Sequence, residues 1–593
     1  MINNANKYLL SEIFAPDNKT KYIIPKFQRE YIWNKDNWEE LLNDVLESDG
    51  NHFIGSIICI NKGTDTFNPE LELIDGQQRL TTVSLVFSAI YQLLKDKIKD
   101  NDDELKSELT NLKYSLTLKH NKNLRIELSY QNNNHQDYQA VLSEIGIIDF
   151  SDTNLKNIGN RRIYKAYKYF LNKLENFSEK ELFGLLEKIK ATMIVKIEVS
   201  SHSDAFLLFE SLNNRGVPLS AIDLIKNKML SELEKRAGLT IDESFTKWNK
   251  IINALPEYTI QERFIRQFYN AFKSNADIKV GNYSKATRSN IIKIYETLIA
   301  NNPTYIFDQL IEKSSIYNEL VFPDDLELEP YISIKAELID LSNVQAAPAY
   351  AFLLFLFSNY KGQEITFYKE VIRLLIKYFI RRNITDFPNT RNLDQIFIDI
   401  VEELYNDKEK VDIKYITEYF TNSERFSPKD KFEEYLNGDL YEMNVEATRF
   451  VLSKIEESKR QTKEINRNFW QKDRSNKLIW SIEHIFPEGK NIPKSWLKMI
   501  ADGDKEKAEV LQEKYVHKLG NLTLTIYNQS LSNFEFTKKR DRKDSKGKSI
   551  GYKNQLFLND VLVEKDEWKI NDIEKRTKEL VDIALEIFDI NGK

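Results

Sequence analysis

The chain has 593 residues, with 85 Lys or Arg against 91 Asp or Glu, and its formal net charge is −6 at pH 7. This balance excludes a uniformly basic surface, so any nucleic-acid interface must be local. The single cysteine, Cys59, excludes an internal disulfide and fits a reducing compartment, so we expect a cytoplasmic protein.

The hydropathy of the chain predicts no membrane segment. The amino terminus lacks a basic stretch followed by an apolar run, so we expect no secretion signal. The most apolar segment, AYAFLLFLF at 349–357, is much shorter than the ~20 residues needed to cross a bilayer. We therefore expect a soluble protein without a membrane partner.

The length of the chain exceeds the roughly 250–300 residues at which a single hydrophobic core stops growing. Changes in residue pattern predict three domains, at 1–235, 236–440 and 441–593. The expected fold class is α+β and multidomain. It combines an amino-terminal α/β domain, a largely α-helical connector, and a carboxy-terminal strand–strand–helix unit embedded in helices.

The first domain alternates strand-like and helical patterns. KYIIP at 21–25 and FIGSIICI at 53–60 are short apolar runs between polar turns, and VSLVFSAIYQLL at 83–94 repeats apolar residues at helical spacing. A further strand-like run, ATMIVKIEVS, lies at 191–200. These patterns predict a small α/β unit.

One strand-to-helix turn in this domain is rich in polar residues. In LIDGQQRLTT at 73–82, Asp75 and Gly76 form a tight turn, and the two glutamines and Arg79 that follow can hydrogen-bond a phosphate or a base. Thr81 adds a hydroxyl at a helix start, where backbone N–H groups favour anions. A nucleotide or DNA site is one interpretation, and an Arg79–Asp75 pair internal to the domain is the other.

The connector, 236–440, consists of successive amphipathic helical patterns rich in Phe, Tyr, Leu and Ile, without a repeat of fixed period. Its sequence contains no motif that indicates a function.

The third domain begins with a charged helical pattern and continues as strand, loop, strand and helix. The strand-like LIWSIEHIF at 478–486 holds Glu483 and His484, in a chain with six histidines. Such a unit can bring a strand histidine, a loop asparagine and a helix asparagine around one divalent cation. The alternative is a structural histidine with asparagines in turns. The asparagines of KLGNLTLTIYNQSLSNFEF at 518–536 are Asn521, Asn528 and Asn533.

A basic run follows directly. Between 538 and 553 there are eight Lys or Arg and two Asp. Such a run can neutralise a phosphate backbone next to a cut, or it can be a solvated loop. GKS at 547–549 does not complete a phosphate-binding loop, because Arg542 stands where that motif needs its first glycine. The candidate DNA-binding residues are Lys538, Lys539, Arg540, Arg542 and Lys543.

The order Glu-His, Asn, Asn resembles the HNH, or ββα-metal, nucleases. One subgroup has the pattern (Asp/Glu)-His-Ile-x-Pro, then Leu-Gly-Asn-Leu-Thr-Leu, then Asn-x-x-Leu-Ser-Asn-x-x-Phe-x-x-Lys, and every position is matched here. The resemblance implies that His484 is the general base that takes a proton from the attacking water, and that Asn521 orients it. It also implies one Mg²⁺ or Mn²⁺ ion, held by Glu483 and Asn528, with Asn533 as the rival helix ligand.

The adjacent positions of Glu483 and His484 set a geometric condition. Neighbours on an ideal strand point to opposite faces, so the two side chains can serve one site only at a strand end or an irregularity. Pro487, three residues later, favours an early strand end.

Four stretches of the first domain resemble the ParB-like domain of the GmrSD-type, modification-dependent restriction proteins. The signature is Asp-Gly-Gln-Gln-Arg, with Phe-Gln-Arg-x-Tyr-x-Trp upstream and Phe-Glu-x-Leu-Asn-x-Arg-Gly downstream. The stretches are IPKFQREYIW at 24–33, HFIGSI at 52–57, LIDGQQRLTT at 73–82 and FESLNNRGVPLSAIDLIKNKML at 209–230.

The resemblance extends over 1–235 and 441–580, as in single-chain members that fuse the GmrS and GmrD halves, such as BrxU- and SspE-like proteins. It implies that the first domain binds or hydrolyses a nucleoside triphosphate (GTP, ATP or another) and senses modified DNA. The residues to which it assigns these roles are Gln28, Arg29, Asp75, Gly76, Gln77, Gln78, Arg79, Asn213 and Arg215.

Together, the two resemblances predict a type IV-like, modification-dependent DNA endonuclease of anti-phage defence. A nucleotide-responsive sensor domain, with NTPase activity as a further expectation, would control a metal-dependent HNH nuclease. The expected partners are modified phage DNA and a nucleoside triphosphate, and a homodimer is one option. Two alternatives stay open: a toxin-like nuclease that attacks host DNA or RNA, and a nucleotide-gated DNA-binding partner that does not cleave.

Overall fold

The chain divides into two compact units. The first comprises Met1–Glu262 and Thr287–Ile311, and the second comprises Arg263–Ala286 and Glu312–Lys593. The α+β, multidomain fold class is confirmed, while the three domain boundaries stay a prediction. The computed structural model describes residues 2–25, 28, 30–48, 52–62, 67–98, 102–129, 133–150, 158–200, 204–205, 208, 221–281, 283–326, 331–459, 467–473, 475, 477–526, 531 and 533–590.

The first unit is built on a mixed sheet. Its strands are β1 (Ile2–Leu9), β2 (Lys21–Ile23), β3 (Phe53–Asn61), β4 (Glu70–Asp75), β5 (Ile126–Glu127) and β6 (Met193–Val199). They follow one another across the sheet in the order β1-β6-β3-β4-β2-β5. β1 is antiparallel to β6, β3 is parallel to β6 and antiparallel to β4, and β2 is parallel to both β4 and β5. The three strands predicted from apolar runs are confirmed.

Helices cover this sheet. The central helix is the one predicted from VSLVFSAIYQLL, and its side chains are buried on nearly every face, so its apolar pattern is denser than that of a surface helix. The helices as far as residue 321 are α1 (Leu10–Ile13), α2 (Lys35–Glu47), α3 (Gln77–Lys97), α4 (Asp103–Leu116), α5 (Asn134–Glu144), α6 (Arg162–Leu174), α7 (Glu179–Lys190), α8 (Ala221–Ala237), α9 (Ile241–Ala254), α10 (Tyr258–Phe272), α11 (Ile291–Asn301) and α12 (Pro303–Val321). Of these, α10 and α12 continue from the first unit into the second.

The second unit is mainly helical. The apolar segment at 349–357 lies mostly in a ten-residue helix that is buried in the protein core. Within the part of the chain that the structure describes, no helix is long and apolar enough to cross a membrane. The α-helices of the second unit after residue 321 are α13 (Lys335–Asn343), α14 (Tyr350–Asn359), α15 (Ile365–Thr385), α16 (Thr390–Asn406), α17 (Ile413–Phe420), α18 (Lys429–Leu436), α19 (Leu440–Met443), α20 (Val445–Lys459), α21 (Lys494–Ala501), α22 (Lys505–Tyr515), α23 (Phe536–Asp541), α24 (Phe557–Val563) and α25 (Ile570–Ile587).

A small hairpin carries the motifs of the second unit. β7 (Ser481–His484) pairs antiparallel with β8 (Leu522–Thr525), and His484 lies opposite Leu522. α21 and α22 occupy the insertion between the two strands, and α23 follows them in sequence. The described residues therefore form the predicted succession of strand, insertion, strand and helix.

Candidate functional site

Glu483 and His484, the last two residues of β7, face different partners. Glu483 pairs with Lys539 of α23, whereas His484 contacts the rings of His517 and Tyr441. Opposite orientations are what the alternation of a strand requires. The two motif residues are adjacent in sequence but belong to different polar clusters.

The Glu483 cluster is a buried ion pair. Nζ of Lys539 donates to Oε1 of Glu483 at 2.7 Å and to the backbone carbonyls of His484 at 2.9 Å and Ile485 at 3.3 Å. The two side chains are only 4% and 1% exposed. Burial raises the pKa of Glu483 and lowers that of Lys539, while the attraction between them opposes both shifts. We assign both as charged, because the ammonium group has three hydrogen-bond acceptors.

This arrangement does not fit a metal ligand as it stands, because Lys539 already neutralises the carboxylate that was predicted to bind the cation. Among the described residues there is also no group of three or more His, Cys, Asp or Glu that could hold a metal ion. Asn528 lies outside the described residues. Asn533 is exposed and lies against Gly489, where an added Cβ would come within 2.6 Å of its Nδ2.

His484 is buried and neutral. Its pKa is lowered to about 3, first by burial and then by the nearby His517 and Lys539. A neutral imidazole has one lone pair free to accept a proton. The ring is therefore unprotonated at neutral pH, as a general base must be, but a pKa this low makes it a weaker base than the near-neutral value that favours proton transfer.

Asn521 fixes the backbone that follows His484. Its Oδ1 accepts from the N–H of Phe486 at 2.8 Å, and its Nδ2 donates to the carbonyls of Phe486 at 3.0 Å and Val516 at 2.9 Å. The N–H of Ile485 donates to the Asn521 carbonyl at 2.9 Å. Asn521 thus contacts the segment that leaves the strand, and the structure shows no bond from its side chain to the His484 ring.

The turn that carries Asn521 is held by α25. Arg576 donates to the carbonyls of Gly520 at 2.6 Å and Leu522 at 2.9 Å, and Oγ1 of Thr577 accepts from the Gly520 N–H at 3.1 Å. A Cβ at Gly520 would lie 2.2 Å from the Ile573 carbonyl oxygen. The glycine of the LGN motif is therefore required for this close approach.

The predicted DNA-binding cations lie in different environments. Lys539 is interior, as described above. Arg540 bonds Asp541 and Asp566, so its charge is largely compensated. Lys538, Arg542 and Lys543 are exposed, and the Arg542 guanidinium lies 5.2 Å from the ring of Phe534, which is also exposed.

Sequence reasoning missed three residues around His484. Nε2 of His484 lies 3.3 Å from Nδ1 of His517, and its Nδ1 lies 3.6 Å from Oε2 of Glu488. The Tyr441 ring meets the His484 ring edge-on, with centroids 4.6 Å apart. The rarity of histidine and the position of His517 four residues before Asn521 were signals that could have identified it. Tyr441 had none, because it precedes the motif by many residues.

In the first unit, two glycines shape the DGQQR turn. Gly76 precedes α3 at φ +88°, and a Cβ there would lie 2.3 Å from Cγ2 of Ile57. Gly55 has φ +110°, and a Cβ there would lie 3.0 Å from the guanidinium carbon of Arg79. Nη1 of Arg79 donates to the Ser56 carbonyl at 2.8 Å. The HFIGSI and DGQQR stretches are therefore interlocked, and both glycines are required by the geometry.

Gln78 joins the DGQQR turn to the FQREYIW stretch. Its Oε1 accepts from the Ile32 N–H at 2.9 Å, and its Nε2 donates to the Glu30 carbonyl at 3.0 Å. A second link runs from Thr82 to the Tyr31 hydroxyl, 2.7 Å away, which also accepts from a buried tryptophan. The side chain of Gln78 is therefore engaged with the protein's own backbone.

The other candidates of this unit are only partly placed. Asp75 ends β4 and is half-buried, and Gln77 and Thr81 are buried in the first turns of α3. Gln28 is buried, and its Nε2 makes no hydrogen bond within the described part of the chain. The remaining candidates, Arg29, Asn213 and Arg215, lie outside the described residues.

Comparisons with known proteins match both units. The family model of the GmrSD restriction endonuclease N-terminal domain matches residues 10–230, and that of the C-terminal domain matches residues 426–583. A curated relative, an uncharacterized protein of Methanocaldococcus jannaschii, is 27% identical over 240 residues. This alignment covers 34% of the present chain and 38% of the relative.

Proposed function

Because the chain belongs to the GmrSD restriction endonucleases, with both the N-terminal and the C-terminal domain of that family, we propose that it hydrolyses modified phage DNA at His484. Membership in this family supports a restriction-type nuclease that acts on DNA. The HNH chemistry, the preference for modified DNA and the control by a nucleotide are the parts that we propose.

The observation that carries the proposal is the state of His484. The ring is neutral, its lone pair is not consumed by a backbone donor in the described structure, and the segment after it is locked by Asn521. A general base must keep its ring in one orientation while it accepts a proton. His484 and Asn521 together meet this requirement.

In the proposed reaction, water attacks phosphorus and passes a proton to His484. A new P–O bond forms, the ester bond to the leaving oxygen breaks, and that oxygen takes a proton from solvent. The exposed cations Lys538, Arg542 and Lys543 hold the phosphate backbone beside the cut. Lys539 has a different task, because its ammonium group fixes Glu483 and the carbonyl of His484.

A requirement for one Mg²⁺ or Mn²⁺ ion is part of the proposal and comes from the resemblance to HNH nucleases. No step above depends on it, since Glu483 does not fit a metal ligand in the arrangement described. A cation that binds Glu483 must use the second carboxylate oxygen, Oε2, or take the place of Lys539 at Oε1. Cleavage measured with Mg²⁺, with Mn²⁺ and with a chelator tests the requirement directly.

We propose the first unit as the sensor that binds a nucleoside triphosphate. Two features support this role: Arg79 near the amino-terminal end of α3, where N–H groups favour phosphate, and the buried amide of Gln28. The Oε1 and one N–H of Gln78 bond the backbone of residues 30–32, so its second N–H is the group that could contact a phosphate.

One digestion panel tests the whole proposal. Full-length protein is incubated with unmodified, methylated, hydroxymethylated, glucosylated and phosphorothioated DNA and with total RNA, with and without each nucleoside triphosphate. We expect cleavage of a modified DNA, and none by His484→Ala. Cleavage of RNA or of host DNA would favour the toxin-like nuclease, and binding without cleavage would favour the non-catalytic DNA-binding partner.

A further inference from the structure

The His484 ring is surrounded by side chains that no motif had singled out. Its Nε2 lies 3.3 Å from Nδ1 of His517. The His517 ring stacks on Tyr441, with centroids 5.5 Å apart and planes 11° from parallel. Tyr441 also meets His484 edge-on at 80°. The three rings fix one another's orientation.

The contact between the two histidines allows two proton arrangements, because a neutral imidazole has one N–H and one lone pair. If His517 donates, the lone pair on Nε2 of His484 is occupied and the proton of His484 sits on Nδ1. No lone pair then remains for a water molecule. If His484 donates from Nε2, its Nδ1 lone pair stays open.

The function proposed for His484 requires the second arrangement, because a base that takes a proton from water needs an open lone pair. Nδ1 points toward Glu488, whose carboxylate oxygen is 3.6 Å away and whose side chain is 55% exposed. Nε2 instead faces the half-buried His517.

We infer that His517 is a positioning residue that accepts a hydrogen bond from Nε2–H of His484 and thereby leaves Nδ1 as the basic atom. This inference rests on the proposed function, because it concerns the same base. It assigns to a side chain the task of fixing the tautomer of the catalytic ring. His517 itself contacts neither water nor substrate in this role.

Three substitutions at His517 distinguish the effect of its hydrogen-bond acceptor, Nδ1, from the effect of its aromatic ring. His517→Phe keeps an aromatic ring against Tyr441 but removes the nitrogen. His517→Asn offers an amide oxygen at about the position of Nδ1, whereas the His517→Gln amide reaches one bond further, to about the position of Nε2. Their melting curves report whether each variant folds.

We expect His517→Phe to lower kcat for DNA cleavage by about 10- to 100-fold, a part of the roughly 10²- to 10⁴-fold that a positioned base contributes. KM should stay unchanged, His517→Asn should recover most of the rate, and His517→Gln should recover less. A wild-type rate for His517→Phe overturns the inference. A raised KM in all three variants also overturns it, because His517 would then bind DNA.

A spectroscopic measurement needs no substrate. Full-length protein labelled with ¹⁵N-histidine contains six imidazoles, and the spectrum of His484→Gln identifies the signals of His484. We expect a protonated Nε2 and an unprotonated Nδ1 in the wild type, and a mixture of tautomers in His517→Phe. A proton on Nδ1 of wild-type His484 overturns the inference. A wild type that cuts no nucleic acid would instead overturn the proposed function, and the tautomer would still be measured.

Discussion

The DGQQR turn of the first unit and the Glu-His hairpin of the second use their polar residues in opposite ways. In the turn, Gln78 and Arg79 both bond the backbone of neighbouring stretches. In the hairpin, the two ring nitrogens of His484 face the side chains of His517 and Glu488. Asn521 performs for the hairpin the task that Gln78 performs for the turn.

The difference shows that a polar motif contains two kinds of residue. Some side chains bond the backbone and hold the motif in shape, and others keep a reactive atom available. A residue of the first kind should affect stability before activity, whereas a residue of the second kind should affect activity alone. The substitutions below test this division.

The largest effect is expected at His484, the residue assigned to chemistry. His484→Ala should lower the rate of DNA cleavage by roughly 10²- to 10⁴-fold, because the base is lost. Nucleotide binding and the melting curve should not change. The control is His120→Ala, at an exposed position in the first unit. Unchanged cleavage by a folded His484→Ala protein would remove this residue from the mechanism.

The next effect is expected on stability, at Lys539. Lys539→Met leaves the buried carboxylate of Glu483 without its partner and should lower the free energy of unfolding by about 3–5 kcal/mol. Urea unfolding measures it. Lys538→Met, one residue earlier and exposed, should change it by less than about 0.5 kcal/mol.

A double variant distinguishes the contribution of the Glu483–Lys539 ion pair to stability from that of the lysine side chain alone. Glu483→Gln combined with Lys539→Met should recover much of the lost stability, because no buried charge remains. If Lys539→Met is as stable as the wild type, the ion pair does not form in solution, and Glu483 becomes available as a metal ligand.

A smaller effect on cleavage is expected at Asn521, which holds the segment after His484. Asn521→Ala removes three hydrogen bonds and leaves buried backbone groups unpaired, each at about 1–3 kcal/mol. The melting temperature should therefore fall first, and the rate should fall by less than in His484→Ala, with little loss of DNA affinity. A melting curve, nicking and equilibrium binding measure the three quantities. Asn533→Ala, at the exposed rival position, should leave stability unchanged. A parallel loss of affinity in Asn521→Ala would assign Asn521 to DNA binding.

The smallest effect is expected at Arg79. This side chain bonds the backbone of the HFIGSI stretch and is also proposed to bind the nucleotide. Arg79→Ala should weaken nucleoside triphosphate binding by very roughly 10- to 100-fold, the equivalent of one charge-assisted contact of ~1.5–3 kcal/mol. Control of cleavage by the nucleotide should be lost as well. Calorimetry measures binding, and a melting curve detects damage from the lost bond to Ser56. A wild type that restricts phage yet binds no nucleotide would contradict the sensor role.

The sequence predicted the strands and helices well, because apolar periodicity reports burial directly. β3, α3 and β6 lie where the apolar runs placed them. The buried position of Lys539 was not predicted, since it belongs to a basic run that was interpreted as surface. Helical periodicity did contain the information: Lys539 follows the buried Phe536 by three residues on α23, so both face the interior.

The site could be predicted only in part. His484 and Asn521 follow from the order of motif residues along the chain. The contacts of His484 with His517 and Tyr441 depend on tertiary packing that brings α19 and the end of α22 to the hairpin, and no local pattern encodes such an approach. Glu483 pairs with the ammonium group of Lys539 instead of the expected metal cation. This pairing could likewise be known only from the position of α23 in the fold.

The hydrogen bonds from α25 to the turn that carries Asn521 determine when during translation this turn can be completed. Arg576 lies 56 residues beyond Gly520, whose carbonyl it binds. A nascent chain that has emerged from the ribosome only as far as the hairpin lacks this clamp, and the loop after His484 is then without its support. The proposed hydrolytic centre is therefore completed late in translation, after the entire first unit has already been made.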